Sequence, residues 1–294
     1  MIVAVYNRTF GKEDIPAISK ILSALQAHKI QLVFYKDFYN QLKDSFSFDE
    51  TPAFFTSRLD LPIQTDMLIS LGGDGTMLDT VSFIGDSNIP LIGINLGRLG
   101  FLAAISENEA ADAIESLVRG SYTIEKRSLL HLESSMPIFE DAPFALNEFT
   151  IHRKDSSSMI KIHTYLNGEF LNTYWADGLI VSTPTGSTAY SLSCGGPIIT
   201  PGCQVHMLTP IAAHNLNVRP VVVPDHMPIS LQIEGRDRSY LLSLDGHSRQ
   251  IKQGEKVKIT KAEFMINVVK FEDNNFLDTI RNKMLWGSDT RNDL

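Results

Sequence analysis

A short glycine-rich turn with an acid at its centre is the segment of this chain best suited to chemistry. Residues 72 to 76 read Gly-Gly-Asp-Gly-Thr and directly follow the apolar run Met67–Leu71. Apolar spacing after Thr76 predicts a helix, and a strand, a glycine turn and a helix N-terminus together favour binding of an anion such as phosphate. Because a carboxylate repels phosphate, Asp74 indicates a proton acceptor or a metal partner.

This turn also has a plain structural interpretation, in which Asp74 only helps to cap the helix. The turn lacks the Lys-Ser/Thr ending of a P-loop, and the G-x-G-x-x-G dinucleotide fingerprint is absent from the sequence. The position between a predicted strand and a predicted helix favours the ligand site over the capping role.

A second candidate is the segment from residue 177 to residue 197, which is rich in hydroxyl side chains and contains no basic residue. Small hydroxyl groups and nearby amides can hydrogen-bond bases, riboses and phosphates, and Tyr190 can stack on a base. The alternative is a Ser/Thr-rich capped turn. The length of the segment and its Thr-Gly-Ser-Thr run favour a binding role.

Two residue pairs that each contain one acidic residue are more ambiguous in function. Asn147 and Glu148 interrupt an apolar strand, where their side chains point to opposite faces. A carboxylate beside an amide can bind a ribose diol, but a strand end that meets solvent explains the pair nearly as well. Asp245-Gly246 ends another strand and is either a turn or an acidic ligand.

The composition of this 294-residue chain argues against several classes of function. The net charge of −8 argues against nucleic acid or an anionic membrane as the main partner. Two cysteines form no disulfide framework, and the N-terminus lacks the pattern of a signal peptide, so we expect a cytoplasmic protein. The histidines show no metal-ligand spacing, and no G-x-S-x-G nucleophile elbow occurs.

The pattern of elements predicts two domains. Strands and helices alternate up to residue 120, which is typical of a parallel sheet with helices on both faces, although residues 40 to 65 fit only an irregular loop. Short strands dominate afterwards and predict a β-rich, sandwich-like domain, with a hairpin at Asn167-Gly168. We expect an α/β domain over residues 1 to 122, onto which a helix in residues 274 to 294 packs back, and a β-rich domain over residues 123 to 273.

Taken together, the motifs resemble those of the NAD kinases, within the wider group of kinases that share the Gly-Gly-Asp-Gly turn. The resemblance covers most of the chain in order, and the tail from Lys283 to Trp286 resembles that family's end. Gly-Gly-Asp-Gly alone is shared with diacylglycerol-type lipid kinases and phosphofructokinases. The matching segments are residues 72–76, 95–101, 147–148, 177–178 and 183–197, of which the last makes the resemblance specific.

The resemblance implies that the substrates are NAD and ATP with a divalent cation such as Mg²⁺, although inorganic polyphosphate is a donor among relatives. It also implies an active site in the cleft between the two domains and assembly as a homodimer or homotetramer. The expected reaction is phosphorylation of the 2′-hydroxyl of the adenosine ribose of NAD, which gives NADP.

Residue roles follow from the same resemblance. Asp74 would accept the proton of the 2′-hydroxyl, and the amides of Gly72, Gly73, Gly75 and Thr76 would hold phosphate. Asn147 and Glu148 would contact ribose hydroxyls and the pyrophosphate region, and Asp177 the nicotinamide half. Thr188, Ala189, Tyr190 and Ser193 would surround the adenine and its neighbouring ribose, with Ala212 in the same pocket. Further expected NAD contacts are Thr185, Ser191 and Leu192. Trp175 is an expected NAD contact at a position that varies in the family, and Arg98 occupies a position at which relatives carry other polar residues.

Two other functions remain open at this point. A lipid or sugar kinase would use the same glycine turn, although the chain lacks a basic or amphipathic membrane-binding segment. A non-catalytic sensor of NAD or NADP would use the same binding residues, but it would gain little from an acid beside phosphates.

Overall fold

The computed structural model describes residues 1–48, 51–97, 100–134, 138–140, 142–154, 159–235, 239–271 and 275–284. The chain divides into two compact units. One unit holds Met1–Lys126 and the C-terminal segment from Ile266 onward, and the other holds Arg127–Met265. Among the described residues, no helix is both long and apolar enough to cross a membrane.

The first unit is built on a parallel sheet with strand order β3-β2-β1-β4-β5-β6. Its strands are β1 (Ile2–Tyr6), β2 (Gln31–Tyr35), β3 (Ala53–Phe55), β4 (Met67–Leu71), β5 (Leu91–Asn95) and β6 (Ile105–Ser106). Its first helices are α1 (Ile15–Ala27), α2 (Lys36–Leu42), α3 (Asp74–Ile84) and α4 (Ala110–Arg119), with 3₁₀ turns at Lys12–Asp14 and Arg58–Asp60.

Helices cover both faces of this sheet. On one face, α1 buries Ile18, Leu22 and their neighbours against alternate residues of the central strands, such as Ile92. On the other face, a Cβ added to Gly93 would lie 2.7 Å from the sulfur of Met77 on α3. Successive strand residues point to opposite faces, so the two faces of the short apolar strands bury different helices.

The second unit contains two antiparallel sheets. Its strands are β7 (Thr123–Ser134), β8 (Phe144–Ala145), β9 (Glu148–Arg153), β10 (Ile160–Leu166), β11 (Glu169–Ala176), β12 (Gly178–Ser182), β13 (Val205–Ile211), β14 (Val221–Pro224), β15 (Ile229–Glu234), β16 (Ser239–Leu244), β17 (His247–Lys252) and β18 (Lys256–Lys270). One sheet has the order β14-β13-β12-β9-β16-β17, and the other has the order β8-β7-β18-β15-β10-β11. A 3₁₀ turn at Thr185–Thr188 and the one-turn helix α5 (Tyr190–Ser193) follow β12.

The two sheets of the second unit enclose one apolar core. Phe149 and Val181 come from the first of these sheets, and Ile162, Leu231 and Val257 come from the second. Strand β15 alternates buried apolar and more exposed polar residues, as a half-buried strand should, whereas β12 is buried at every position. The α/β first unit and this two-sheet second unit confirm the predicted fold class.

The predicted hairpin at residues 167 and 168 is confirmed. Leu166 pairs with Glu169 across a two-residue turn in which Asn167 has φ +48° and Gly168 has φ +85°. Both residues therefore adopt the left-handed conformation that the type I′ hairpin turn requires.

The structure differs from the sequence prediction where the apolar pattern is weak or is interrupted by a polar residue. The segment 40 to 65, expected as an irregular loop, contains the end of α2 and the strand β3, whose Ala53 pairs with Val33. Only Phe55 of β3 is buried, so the strand leaves little apolar pattern. Strands β13, β14 and β17 were also missed. β13 is interrupted by the buried polar residue His206, and β17 is almost wholly exposed.

The unit boundaries fall at slightly different places from the expected domain limits. The units divide after Lys126, not at residue 122, and the return to the first unit begins at Ile266, not at residue 274. The returning segment includes the end of β18, where Val268 pairs with Leu91, and the helix α6 (Phe276–Met284). Trp286, which the predicted tail helix included, lies outside the described residues.

Candidate active site

The glycine turn after β4 has an open main chain. Gly72 has φ +141°, and a Cβ there would lie 2.6 Å from Oγ1 of Thr76, so glycine is required. Gly73 precedes α3, and Asp74 is its first residue. A Cβ on Gly73 or Gly75 would meet nothing within 4 Å. The space beside the helix N-terminus is therefore free for an anionic ligand.

The carboxylate of Asp74 is held by three consecutive main-chain N–H groups. Phe101 donates to Oδ2 at 2.8 Å, while Leu102 and Ala103 donate to Oδ1 at 3.0 and 2.9 Å. An ionised carboxylate offers about four acceptor positions. Three are used by the loop, which leaves an acceptor position on Oδ2. The side chain is thus oriented and can still accept a hydrogen bond from a substrate hydroxyl.

Sequence reasoning missed the loop that holds this carboxylate as a functional element. A Cβ on Gly100 would lie 1.8 Å from Oδ1 of Asp74, and the N–H of Gly100 donates to the carbonyl of Ala103. The available signal was the glycine spacing in residues 95 to 101, which contributed only to the family resemblance. Arg98 lies outside the described residues, so its expected variability stays a prediction.

Two further contacts in the first unit support the elements around Asp74. The buried Asp79 on α3 accepts hydrogen bonds from Arg8 and from the hydroxyl of Tyr6, which ties α3 to the end of β1. Burial, and secondarily the charge of Asp79, raises the pKa of Tyr6, so its hydroxyl stays a donor. Lys283 on α6 lies with Nζ 4.7 Å from the centroid of the Phe101 ring.

In the second unit, a second aspartate also binds three consecutive N–H groups. Asp245 accepts from Leu146 at 2.6 Å and from Asn147 and Glu148 at 2.9 Å each. The structure therefore brings together two motifs that lie almost a hundred residues apart in the sequence.

Buried oxygen atoms next to this contact lack protein partners. Among the described residues, Oδ1 of Asn147 and Oε2 of Glu148 are buried and accept no hydrogen bond. Burial, together with the nearby charge of Asp245, raises the pKa of Glu148 to about 8. Burial also raises the pKa of Asp245 to about 6, although the three N–H donors oppose the shift. Buried polar atoms without partners indicate a polar ligand.

The hydroxyl-rich segment packs directly on Asn147. The N–H of Thr183 donates to the carbonyl of Asn147 at 2.9 Å, and its hydroxyl donates to the carbonyl of Leu146. A Cβ on Gly186 would lie 2.1 Å from the Asn147 carbonyl oxygen, so a side chain there would push the two segments apart. The predicted binding segment and the Asn-Glu pair thus form one cluster.

Some hydroxyls of this segment serve the fold. Ser191 is fully buried, with its hydroxyl 2.8 Å from that of Thr209. The Thr185 hydroxyl accepts from Arg127 at 3.3 Å, and the Thr188 hydroxyl donates to the carbonyl of Thr185 at 3.2 Å. Ala189 and Leu192 are half-buried and Ser193 is exposed, so the segment also presents groups to a ligand.

The aromatic ring of Tyr190 is accessible. It lies nearly parallel to the ring of His152, at 16° and 5.8 Å between centroids. Burial lowers the pKa of His152, which favours the neutral ring. His152 was missed in the sequence because its strand reads as an ordinary alternating pattern. The stacked pair offers a flat surface of the kind that binds a base.

The remaining predicted site residues lie around the ends of β11 and β13. Asp177 forms an ion pair with Arg153 at 2.9 Å. Trp175 is exposed, with Nζ of Lys161 4.8 Å from its ring centroid. Ala212 has φ +46°, a strained conformation for a residue with a side chain.

The described side chains do not form a resident metal site. No group of three or more His, Cys, Asp or Glu residues in the described part of the chain could hold a metal ion. Mg²⁺ commonly binds through substrate phosphates and water, with only one or two protein carboxylates.

Two protein-family models match consecutive parts of the chain. The ATP-NAD kinase N-terminal domain matches residues 12–122, and the ATP-NAD kinase C-terminal domain matches residues 146–271. The chain belongs to the ATP-NAD kinase family. It is therefore a kinase, which confirms the resemblance drawn from its motifs and sets aside the non-catalytic sensor.

Relatives and solved structures agree with membership of the ATP-NAD kinase family. NAD kinases of Cytophaga hutchinsonii and Flavobacterium psychrophilum are each 46% identical over 99% of this chain and all of their own length. A yeast NADH kinase crystallised with NADH superposes with a TM-score of 0.86 at 25% identity, over 98% of this chain and 88% of its own. An Archaeoglobus fulgidus NAD kinase in complex with ATP gives a TM-score of 0.76 at 25% identity, over 97% and 99%.

Proposed function

We propose that this chain transfers the γ-phosphoryl group of ATP to the 2′-hydroxyl of the adenosine ribose of NAD and releases NADP and ADP. The observation that carries the proposal is the Asp74 carboxylate, which three N–H groups orient at the start of α3 while one acceptor position stays open. Membership of the ATP-NAD kinase family supplies the substrate class.

In the reaction, the 2′-oxygen of NAD forms a bond to the γ-phosphorus as the bond from that phosphorus to the β,γ-bridging oxygen breaks. The hydroxyl proton passes to Oδ2 of Asp74, and the leaving oxygen carries its electron pair away on ADP. The transition state of phosphoryl transfer is loose, so a weak base is sufficient and the carboxylate chiefly orients the hydroxyl. Its rigid attachment to the loop at residues 101 to 103 supports this orienting role.

The donor phosphates are assigned to the turn formed by Gly72, Gly73, Gly75 and Thr76. The open space beside Gly73 and Gly75 and the positive end of the α3 dipole support this assignment. Mg²⁺ would enter with the nucleotide and neutralise phosphate charge, held mainly by phosphate oxygens and water. We propose ATP as the phosphoryl donor, and polyphosphate is tested beside ATP in the assay of NADP formation.

NAD is assigned to the cluster that Asn147, Glu148 and the hydroxyl-rich segment form in the second unit. The buried, unpartnered oxygens of Asn147 and Glu148 are suited to ribose hydroxyls, and the accessible ring of Tyr190 is suited to a base. Asp177 is assigned to the nicotinamide half, and Trp175 is a further proposed NAD contact. The other proposed contacts are Asp74 and Gly75 from the first unit and Thr185, Thr188, Ala189, Ser191, Leu192, Ser193 and Ala212 from the second.

A cytoplasmic location and a homodimeric or homotetrameric state complete the proposal. The two cysteines, Cys194 and Cys203, are both free thiols, as a reducing compartment requires. Sedimentation of the purified protein measures the subunit number, and a monomer would contradict the proposed assembly.

The deciding experiment is an assay of NADP formation with purified protein, Mg²⁺ and a panel of substrates. ATP and polyphosphate are crossed with NAD and NADH, and diacylglycerol and hexoses replace the dinucleotide in parallel reactions. We expect NADP from ATP and NAD. Phosphorylation of a lipid or a sugar without NADP formation would overturn the proposal, and so would binding of NAD without turnover.

A further inference from the structure

The turn at residues 245 and 246 resembles the confirmed hairpin at residues 167 and 168. Leu244 pairs with His247, and the two residues between them have φ +45° and +86°. Asn167 and Gly168 have nearly the same angles, +48° and +85°. Asn-Gly and Asp-Gly are both preferred in this type I′ turn. The conformation of the turn alone therefore does not require an acid at residue 245.

The carboxylate of Asp245 makes contacts that the turn does not need. It accepts the N–H groups of three consecutive residues, Leu146, Asn147 and Glu148, at 2.6 to 2.9 Å. The N–H of Asp245 also donates to the carbonyl of Glu148 at 3.1 Å. By contrast, the side chain of Asn167 is exposed in its own turn.

These contacts fix the main chain at the two residues with unpartnered buried oxygens. The directions of the Asn147 amide and the Glu148 carboxyl follow from the peptide units that Asp245 binds. Hydrogen bonds to an ionised group are stronger than those between neutral groups. A neutral side chain at residue 245 would hold these peptide units less firmly.

We propose that Asp245 is a positioning residue that sets the geometry of Asn147 and Glu148 for binding the dinucleotide. This inference rests on the proposed function, in which those two residues contact NAD. Asp245 itself acts through them and needs no contact with the substrate.

The charge of Asp245 has a second effect on the same pair. Glu148 faces the carboxylate of Asp245 and the main chain and ring of Tyr190, and His247 in turn faces Asp245. Burial and the negative charge of Asp245 raise the pKa of Glu148, so its carboxyl is protonated at neutral pH. A protonated carboxyl can donate to a ribose oxygen as well as accept from a hydroxyl.

The test exchanges the two turn residues. Asp245→Asn keeps a side chain that this turn prefers and removes the charge, while Asn167→Asp makes the reciprocal change in the other turn. For Asp245→Asn we expect the KM for NAD to rise about 10- to 100-fold, the range for loss of hydrogen bonds to a charged group. The KM for ATP should stay within about twofold, and Asn167→Asp should match the wild type in both constants.

The pH dependence of the KM for NAD reports how the charge of Asp245 acts on Glu148. In the wild type, NAD binding should weaken as Glu148 ionises near pH 8. Removing the neighbouring charge lowers the pKa of Glu148, so in Asp245→Asn the same weakening should begin at a lower pH. A contact that only stabilised the fold would leave the KM for NAD of the folded variant unchanged at pH 7, where Glu148 is protonated in both proteins.

Each result for the Asp245 variants either supports or overturns the positioning role of Asp245. An unchanged KM for NAD at pH 7 in a folded Asp245→Asn protein would overturn it while leaving the kinase activity intact. If Asp245→Asn does not fold, Asp245→Gly is measured instead, because Gly-Gly also suits this turn. If neither variant folds, Asp245 is a folding residue and the positioning role is refuted. Absence of NADP formation by the wild type would refute the proposed function separately.

Discussion

A Cβ atom on Gly100 would lie 1.8 Å from Oδ1 of Asp74. The two residues can keep their observed positions only when residue 100 has no side chain. The loop that starts at Gly100 supplies the three N–H groups that orient the Asp74 carboxylate. A glycine 26 positions away in the sequence from the proposed proton acceptor is therefore part of its geometry.

Gly100→Ala should lower kcat by about 10²-fold or more, because a displacement of about 1 Å in a catalytic group can cost this much. The control is Gly97→Ala in the same loop, since the nearest atom to its Cβ would be Oδ1 of Asn95 at 3.9 Å. Steady-state kinetics and circular dichroism measure activity and folding. A folded Gly100→Ala protein with the wild-type kcat would contradict the role of this contact.

Asp74→Asn should lower turnover by roughly 10²- to 10⁴-fold with the fold preserved, because the amide cannot accept the hydroxyl proton. The matched control is Asp112→Asn, which changes an exposed aspartate in the first turn of α4. NADP formation is measured for both variants at saturating ATP and NAD. Near-normal turnover of Asp74→Asn would exclude the assigned role.

Glu148 should make stability depend on pH. Burial, together with the charge of Asp245, raises its pKa to about 8 in the folded protein, so its contribution to stability is fully present below the pKa of the unfolded chain and is lost as pH rises through 8. Glu148→Gln mimics the protonated carboxyl and cannot ionise. Its free energy of unfolding should therefore exceed that of the wild type at pH 9.

Urea unfolding of both proteins at pH 5, 7 and 9 measures this difference. We expect the two curves to converge near pH 5 and to separate progressively towards pH 9. A constant difference at all three values would show that Glu148 does not titrate in this range.

Ala212→Gly should stabilise the protein by about 1 kcal/mol or less. Ala212 has φ +46°, where a side chain costs roughly 1–2 kcal/mol, and the greater freedom of unfolded glycine offsets part of the gain. The control Ala176→Gly, in the buried strand β11, should destabilise instead. Thermal unfolding compares the two variants, and destabilisation by both would contradict strain at Ala212.

The sequence by itself determined the elements that local pattern encodes. The apolar run Met67–Leu71 located β4, and the Asn167-Gly168 pair located a hairpin, because the burial of a strand and the positive φ values of a turn depend on adjacent residues. Weakly buried elements such as β3 and β17 left no such pattern and were missed. The glycine turn at Asp74 was identified because its three glycines and its acid are neighbours.

Only the tertiary structure decided what surrounds the candidate site residues. Sequence reasoning left Asp245 as either a turn or a ligand, and the structure shows a turn residue whose carboxylate binds the main chain at residues 146 to 148. Likewise, nothing local indicates that Gly100 lies against Asp74. Such contacts join segments that are distant in the chain, and they depend on how strands pair and loops pack. These contacts therefore cannot be inferred from a local pattern of residues.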